Sequence, residues 1–460
     1  MRQRRIPGSR GSQQALARSA GFSRPPRSVR TRVRTTSALL VVVLALAAGC
    51  DSALDRPSVP TGSAASTTAP TTTTIEITPV TPDGLLSGPG VTDDSIMLGV
   101  LVDPDRDRGF AAGIELWQQA VNTSGGLCGR SLELIRNGST DVPTDVVQAY
   151  DTIGRGVVGL ITLAPPTEAV ALNSRISADQ IPALTPAGTA AQLGPSLPVV
   201  IGPTQDILSI NALDYLERSG RVEEGATIGV LTDGSAVADN GLAGAAWWAG
   251  QRGISLDVRT VERDAGSTEV VGSERLTDWG SATHVLALTD ATTTGELVAA
   301  TPADLTVVTM IDSYNPTSWS SAALNAATAG RVLVSTAAPA YGSDYPAAVA
   351  VASRAAAAGL VAPGARLFDG YATGQSWARL LTQVCTDRTL TRNAITTATT
   401  TVGAASVDSL FGPSDPSAPE LSALPATRVS AMSTASPSAP SGLASLTWPE
   451  GAADIEDYVP

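Results

Sequence analysis

From Ser95 onward the chain is organised as short apolar blocks separated by segments of helical periodicity. The blocks Ile96 to Val102, Leu132 to Ile135, Val157 to Leu163 and Ile181 to Leu184 are almost continuously apolar rather than alternating. That is the pattern of strands covered on both faces in a parallel sheet. Between the first two, Phe110, Ile114, Trp117 and Val121 recur at helical spacing, and Gly125-Gly126 supplies the stop a helix end favours. The unit so formed is strand, helix, parallel strand. The rhythm resumes after Gly202 with blocks at Ile228 to Leu231, Val285 to Leu288 and Val307 to Ile311, and with helices expected around Leu242 to Trp248 and Thr268 to Trp279. Val332 to Ser335, an Ala-rich helix from Tyr345 to Ala358, a second helix from Tyr371 to Cys385 and the segment Leu390 to Ala398 complete it. The pattern predicts an α/β protein of two doubly wound parallel-sheet lobes, a class whose ligands bind at the carboxyl ends of the strands.

The amino end follows a different rule. Residues 1 to 36 hold ten Arg and no acid, and an apolar run from Ala38 to Ala48 follows. At about 1.5 Å per residue this run covers roughly half of a ~30 Å hydrocarbon core, so it reads as an export signal rather than a permanent span. Leu46-Ala47-Ala48-Gly49-Cys50 resembles the cleavage box of bacterial lipoproteins, in which small residues precede a cysteine that is lipidated and becomes the new amino terminus. Ala47 stands where Leu is usual, and an ordinary secretory signal with an incidental cysteine is the competing reading. Residues 1–49 are therefore expected to be a lipoprotein signal peptide and 50–91 a tether. From Pro57 to Pro82, seventeen of twenty-six residues are Ser, Thr or Pro, too few apolar side chains to order a core. The expected address is the outer face of the cytoplasmic membrane, held by a lipid anchor on Cys50. A second stretch rich in Ser, Pro and Ala, about 412 to 443, is interrupted by Leu421, Leu424, Val429 and Met432 and is expected to be loop with one or two short strands.

Composition narrows the chemistry. All thirty basic residues are Arg, which excludes a Schiff-base or Walker-type lysine. The formal charge of -13 becomes -23 once the ten arginines of the signal are removed, so the exported part repels phosphate backbones and no nucleic-acid partner is expected. One histidine, His284, and three cysteines leave almost nothing from which to build a His/Cys metal site, and no cofactor is implied. Asp103, Asp105 and Asp107 alternate with Arg106 and Arg108, but the spacing lacks the glycine and distal Glu of an EF-hand loop and reads as a solvated charged loop. Gly374-Gln375-Ser376-Trp377-Ala378 is the nearest approach to a nucleophile elbow. Ser376 falls inside an expected helix, however, and the lone His284 precedes it, so the chain is read as a non-enzyme. Trp117, Trp247 and Trp248 sit among apolar neighbours at helical spacing, as core residues do, and His284 at a strand start reads as structural.

The order of the motifs resembles a known family. Asp94 to Val102, then Gly113, Asn122, Gly125-Gly126 and Gly129-Arg130 ahead of a strand are similar to the opening of the leucine/isoleucine/valine-binding type of periplasmic solute receptor, with its Asn-x-x-Gly-Gly-x-x-Gly-Arg turn after the first helix. Ile181 to Thr189 resembles that family's fourth strand and ligand loop, and Asp206 to Leu216 its crossing helix, so the likeness covers roughly residues 92 to 400. It implies the Venus-flytrap fold of periplasmic binding protein type I. Lobe one would comprise 92–202 and 337–398, and lobe two 203–336 and 399–460 with the tail, closing about hinge strands. It also implies the substrate-binding lipoprotein of an ABC importer, holding an amino-acid-like small polar solute between the lobes and presenting the closed form to a membrane permease. The implied site is Ala164, Thr167, Thr185, Ala187 and Thr189 in lobe one for the solute's carboxylate, and Asp312 in lobe two for its ammonium, with Tyr314 nearby. Ala164 stands where a Ser hydroxyl is usual, the tyrosine expected near 233 to 241 is absent, and Thr289-Asp290 replaces another aromatic. One carboxylate donor is therefore missing from the pattern.

Each of these residues also has a structural reading: Asp312 as the cap of a following helix, Thr185 and Thr189 as turn formers beside Pro186. The competing function is a lipid-anchored envelope protein whose cleft has degenerated and which acts through protein contacts. With Cys50 lipidated, Cys128 and Cys385 remain. Each is expected at the carboxyl end of a helix, at the pole of lobe one away from the cleft and in an oxidising compartment. The two are candidates for a disulfide, with two buried free thiols as the alternative.

Overall fold

The computed structural model describes residues 80–103, 107–136, 146–164, 166–193, 198–263, 270–271, 276–361, 363–401, 410–411, 430–439 and 442–459. The signal, Cys50 and most of the expected tether lie outside the described residues, as do Asp105, Arg106, Leu421, Leu424 and Val429.

Lobe one is built on five parallel strands, β1 (Ser95–Val102), β2 (Ser131–Arg136), β3 (Gly159–Leu163), β4 (Ala183–Thr185) and β5 (Val199–Val200), in the order β2-β1-β3-β4-β5. Helices α1 (Arg108–Thr123), α2 (Val146–Ile153) and α3 (Pro166–Asp179) connect the first four. The order reverses between β1 and β3, which opens the crevice where such sheets take ligands. Lobe two follows with α4 (Gln205–Arg218), β6 (Thr227–Thr232), α5 (Ala236–Arg252), β7 (Ser255–Thr260), β8 (His284–Leu288), α6 (Ala291–Ala300), β9 (Thr306–Met310), α7 (Ser321–Thr328) and β10 (Val332–Thr336). The chain then returns to lobe one through α8 (Pro346–Ala357), α9 (Leu367–Thr386) and α10 (Arg392–Thr401), and ends in lobe two with β11 (Ser430–Ala435) and β12 (Leu443–Glu450). The second sheet runs β12-β11-β10-β9-β8-β6-β7, parallel from β7 to β10 and antiparallel at β11 and β12.

The apolar blocks become the cores. Ile96, Leu98, Leu160, Ile161 and Leu184 of lobe one pack with Leu367, Phe368, Trp377 and Leu380, while two further clusters sandwich the second sheet around Val230, Leu286 and Val308 and around Leu231, Val285 and Val307. In lobe one, α1 and α9 touch backbone to backbone. A Cβ on Gly113 would lie 2.0 Å from the Leu367 carbonyl oxygen, and one on Gly370 2.1 Å from that of Phe110, so both helices need glycine at the crossing.

The turn after α1 is held by side-chain hydrogen bonds and by a glycine at a close approach. Asn122 Nδ2 donates to the Leu132 carbonyl at 3.0 Å and its Oδ1 accepts from the Leu132 N–H at 2.7 Å, so the side chain pairs with β2 as a neighbouring strand would. Arg130, 3% exposed, donates to the carbonyls of Thr92 at 2.7 Å and Cys128 at 3.0 Å and pairs with Asp83 at 3.1 Å, which ties the turn to the segment entering β1. Gly126 has φ 79° and would drive a Cβ to 1.9 Å from the Arg130 carbonyl oxygen.

Four expectations need correction. Residues 50–91 were expected to be tether throughout, but Leu85 is buried in the lobe-one core and Leu86–Ser87 pairs in parallel with Thr389–Leu390. Gly84-Leu85-Leu86 breaks the Ser/Thr/Pro composition and restores burial. Residues 399–460 were assigned wholly to lobe two with the tail, yet Leu410 and Phe411 are buried with lobe one, as an apolar pair in a polar stretch seeks the nearest core. The helix expected at Thr268 to Trp279 is replaced, among the described residues, by Glu262–Arg263 paired antiparallel to Val270–Val271 and a turn before Trp279. Finally, β7 stands outside the expected strands because it carries the alternation of a half-exposed edge strand, and a pattern of continuous apolar blocks does not predict it.

Candidate functional site

The carboxyl ends of the strands carry the expected lobe-one residues. Ala164 follows β3 and is half-buried, and Thr167 stands in the first turn of α3, its side chain outside the described set. Thr185 closes β4, 5% exposed, and its hydroxyl donates to the Ala187 carbonyl at 3.1 Å. Thr189 begins a short 3-10 turn at Ala190–Gln192 as a capping box: its N–H donates to Gln192 Oε1 at 2.8 Å, and its hydroxyl donates to the same oxygen at 3.3 Å. The Ala187 to Ala190 loop touches lobe two directly, since the Ala190 N–H donates to Asn240 Oδ1 at 3.3 Å. The polar groups of Thr185 and Thr189 thus have local partners and shape the loop as it stands.

In lobe two, Asp312 follows β9 in a 3-10 turn, Ile311–Ser313. Its Oδ2 accepts from Gln205 Nε2 at 2.7 Å, and its Oδ1 accepts from Arg366 Nη1 in an ion pair. Gln205 opens α4, so Asp312 is held both by the entry into lobe two and by an arginine of lobe one. Tyr314, expected beside it, turns the other way. It is 5% exposed, packs edge-on against Trp319 at 5.2 Å between ring centroids, and donates its hydroxyl to the Gly442 carbonyl at 2.5 Å. Burial raises the Tyr314 phenol above its ordinary value.

Arg366 was not anticipated, and it organises the site. It is the N-cap of α9 with φ 69°, a left-handed conformation that a non-glycine residue adopts at a cost of about 1–2 kcal/mol. The preceding turn is pressed against the start of α1, where a Cβ on Gly109 would fall 1.7 Å from the Ala365 carbonyl oxygen. The side chain is 6% exposed and its Nε pairs with Asp369 Oδ2 at 3.2 Å, one helical turn along. Burial opposes the guanidinium's charge, but Asp312, Asp369 and Asp107 more than offset it and hold its pKa above the ordinary value. The same burial pushes the Asp369 carboxyl up to about 6, with Arg366 opposing and Asp312 and Asp107 adding. Asp107, read from the sequence as part of a solvated loop, is 7% exposed and belongs to this group because α1 begins against the Ala365 turn. The only sequence signal was an Arg followed three residues later by Asp at a helix start, after Pro363-Gly364.

Other candidates resolve as structure. Ser376 is buried in α9 and donates to the Ala372 carbonyl at 3.0 Å, while His284 opens β8 in the other lobe beside the Thr283 hydroxyl at 2.9 Å. Burial, with Arg221 nearby, pushes the His284 imidazole down to about 4. Trp117 and Trp248 are core, and Trp247 packs against Tyr458 with the rings tilted and their centroids 5.1 Å apart. Cys128 and Cys385 lie at the far end of the α1–α9 pair with Cα atoms 5.8 Å apart, within the roughly 4.4–6.8 Å that a disulfide spans.

Two doubly wound lobes, joined by repeated chain crossings and bringing polar groups together at their strand ends, define the periplasmic binding protein type I fold. The chain belongs to the periplasmic binding protein family, whose pattern matches residues 105–420. Among solved structures it is similar to a fatty acid ABC transporter substrate-binding protein from Thermomonospora curvata, at 22% identity and a TM-score of 0.70, over 82% of this chain and 97% of that one. It is also similar to a branched chain amino acid ABC transporter protein from Thermus thermophilus with bound valine (13% identity, TM-score 0.56, 80% and 99% covered). A possible leucine/isoleucine/valine-binding protein from Rhodopirellula baltica is a third neighbour (14% identity, TM-score 0.57, 77% and 97% covered). No curated protein sequence matches the chain.

Proposed function

We propose that this chain is the solute-binding component of an ABC importer. It is exported, anchored through lipid on Cys50, and holds an amino-acid-like solute between its lobes for delivery to a membrane permease. The observation that carries the reading is that a lobe-two acid at the carboxyl end of its strand, Asp312, meets charged groups of lobe one in a largely buried setting. Such a place takes small charged molecules when the lobes part. The fatty acid and valine named for two structural neighbours both carry a carboxylate, which fits a solute of that headgroup. Asp312 would take the ammonium, and the loop from Thr185 to Thr189 with Ala164 and Thr167 would border the carboxylate. In this reading Tyr314 contributes packing rather than contact. A Cys128–Cys385 disulfide would fasten the base of lobe one in the oxidising compartment.

A thermal-shift screen of the purified chain against amino acids, amides, carboxylates and sugars tests this. A ligand at 100 times its dissociation constant stabilises the folded state by about 2.7 kcal/mol. The competing reading, an envelope protein with a degenerate cleft, draws on Ala164 lacking a hydroxyl and on Thr189 and Asp312 having internal partners. It predicts no shift with any solute.

A further inference from the structure

Taken together, three observations lead beyond the receptor reading, on which the inference rests. Asp312 and Arg366 face each other across the lobe boundary, each the other's counter-ion. Their remaining partners differ in permanence. Asp369 is one turn along the same helix as Arg366 and 3% exposed, so it stays with the arginine, whereas Asp312 belongs to the other lobe and is 23% exposed. Ile311, Tyr341, Leu367, Phe368 and Leu443 wall a small space beside Arg366 that leaves room for about one water as the lobes stand.

We infer that a zwitterionic solute binds by parting the Asp312–Arg366 pair, its carboxylate taking the place of Asp312 on Arg366 and its ammonium taking the place of Arg366 on Asp312. Every charge separated is replaced by one of the same sign, so no ion is left buried alone, the outcome that makes breaking a buried pair costly. A zwitterion adds no net charge to a group already holding three carboxylates, Asp107, Asp312 and Asp369, around one guanidinium. The apolar wall accepts an aliphatic or aromatic side chain. Arg366 also supplies the carboxylate donor that the sequence lacks at Ala164, in a fixed left-handed turn that keeps the guanidinium at the boundary when the lobes part. The pair is then the unliganded form of the site, and the solute is its wedge.

Titration calorimetry on the full chain tests this with three probes: the twenty common amino acids, 4-methylpentanoate (carboxylate only) and 3-methylbutylamine (ammonium only). The wild type is expected to bind at least one amino acid. Arg366→Met should weaken that binding tenfold or more, about the worth of one charge-assisted hydrogen bond, and Arg366→Lys should retain part of it. Arg366→Met strands acids in the interior, so Asp312→Asn provides the second arm, keeping Arg366 with Asp369. It should weaken the amino acid tenfold or more yet bind 4-methylpentanoate at least as tightly as wild type, because the internal competitor for Arg366 is gone. Amino acid bound equally by wild type and a folded Arg366→Met overturns the inference and leaves the receptor reading standing. So does loss of 4-methylpentanoate affinity in Asp312→Asn. Failure of the folded wild type to bind any probe overturns both.

Discussion

Replacing Gly113 by Ala tests whether lobe one is assembled by the backbone contact between α1 and α9. The added Cβ would sit 2.0 Å from the Leu367 carbonyl oxygen and 2.8 Å from the Tyr371 nitrogen, both main-chain atoms that no rotamer change can move. Restoring an ordinary contact of about 3.5 Å forces the helices apart by about 1.5 Å along their crossing. Overpacking of this kind costs about 1–3 kcal/mol or more, and here the whole α1–α9 contact must shift. Ala gains back up to about 1 kcal/mol over Gly in helix propensity, leaving a net loss of about 2 kcal/mol. Gly250 in α5 is the control: it is exposed, helical and has no neighbouring heavy atom within 4 Å of the added Cβ, so Gly250→Ala should gain about 0.5–1 kcal/mol. The two variants are compared by urea unfolding and by thermal midpoint, where Gly113→Ala should fall roughly 4–8 °C. If Gly113→Ala is as stable as the parent, or Gly250→Ala falls equally far, the close approach is not what holds the pair. Leu367 adjoins Arg366, so Gly113→Ala should also weaken solute binding.

Three further predictions concern the same lobes. Mass spectrometry without reduction should find Cys128 linked to Cys385, and Cys128→Ser should cost up to about 5 kcal/mol for a closure spanning 257 residues; two alkylatable thiols would exclude the bridge. Asp369, raised to about 6 by burial from an unfolded value near 3.8, binds its proton more tightly folded than unfolded. Its contribution to stability is therefore fully present at low pH and is lost as pH rises through about 6, by up to about 3 kcal/mol. Asp369→Asn should remove that decline, visible as a stability difference from wild type that grows between pH 4 and 7, and a constant difference would refute the burial cause. Tyr314→Phe removes the hydroxyl bonded to Gly442 and should cost about 1–2 kcal/mol without altering solute affinity; a large affinity loss would return Tyr314 to the binding site.

The C-terminal segment shows how distant parts of the chain converge on α4 and α5 of lobe two. Tyr458 donates to Asp206 Oδ2 at 2.8 Å, the Ala452 N–H to Asn211 Oδ1 at 2.9 Å, and Arg252 pairs with Asp454 at 3.0 Å. The Tyr458 bond fastens the start of α4, which also carries Gln205 and so the second partner of Asp312, the Ala452 bond reaches the middle of α4, and the Arg252 pair anchors the end of α5.

Much of this architecture is legible in one dimension because its causes are local. Strands buried on both faces must be continuously apolar, a helix stop must tolerate positive φ, and Asn122 to Arg130 encodes its turn through hydrogen bonds spanning few residues. The sequence by itself therefore determined two doubly wound lobes and placed Asp312 at a strand end. It did not determine what Asp312 faces. That depends on Arg366, 54 residues away along the chain, held in a left-handed turn because Gly109 lets α1 press against Ala365. It depends equally on Asp107 being buried by the same contact. A single charged residue at a turn or helix start carries no periodicity, so only tertiary packing, which sets its distance to other charges and to water, decided that these four residues form one group.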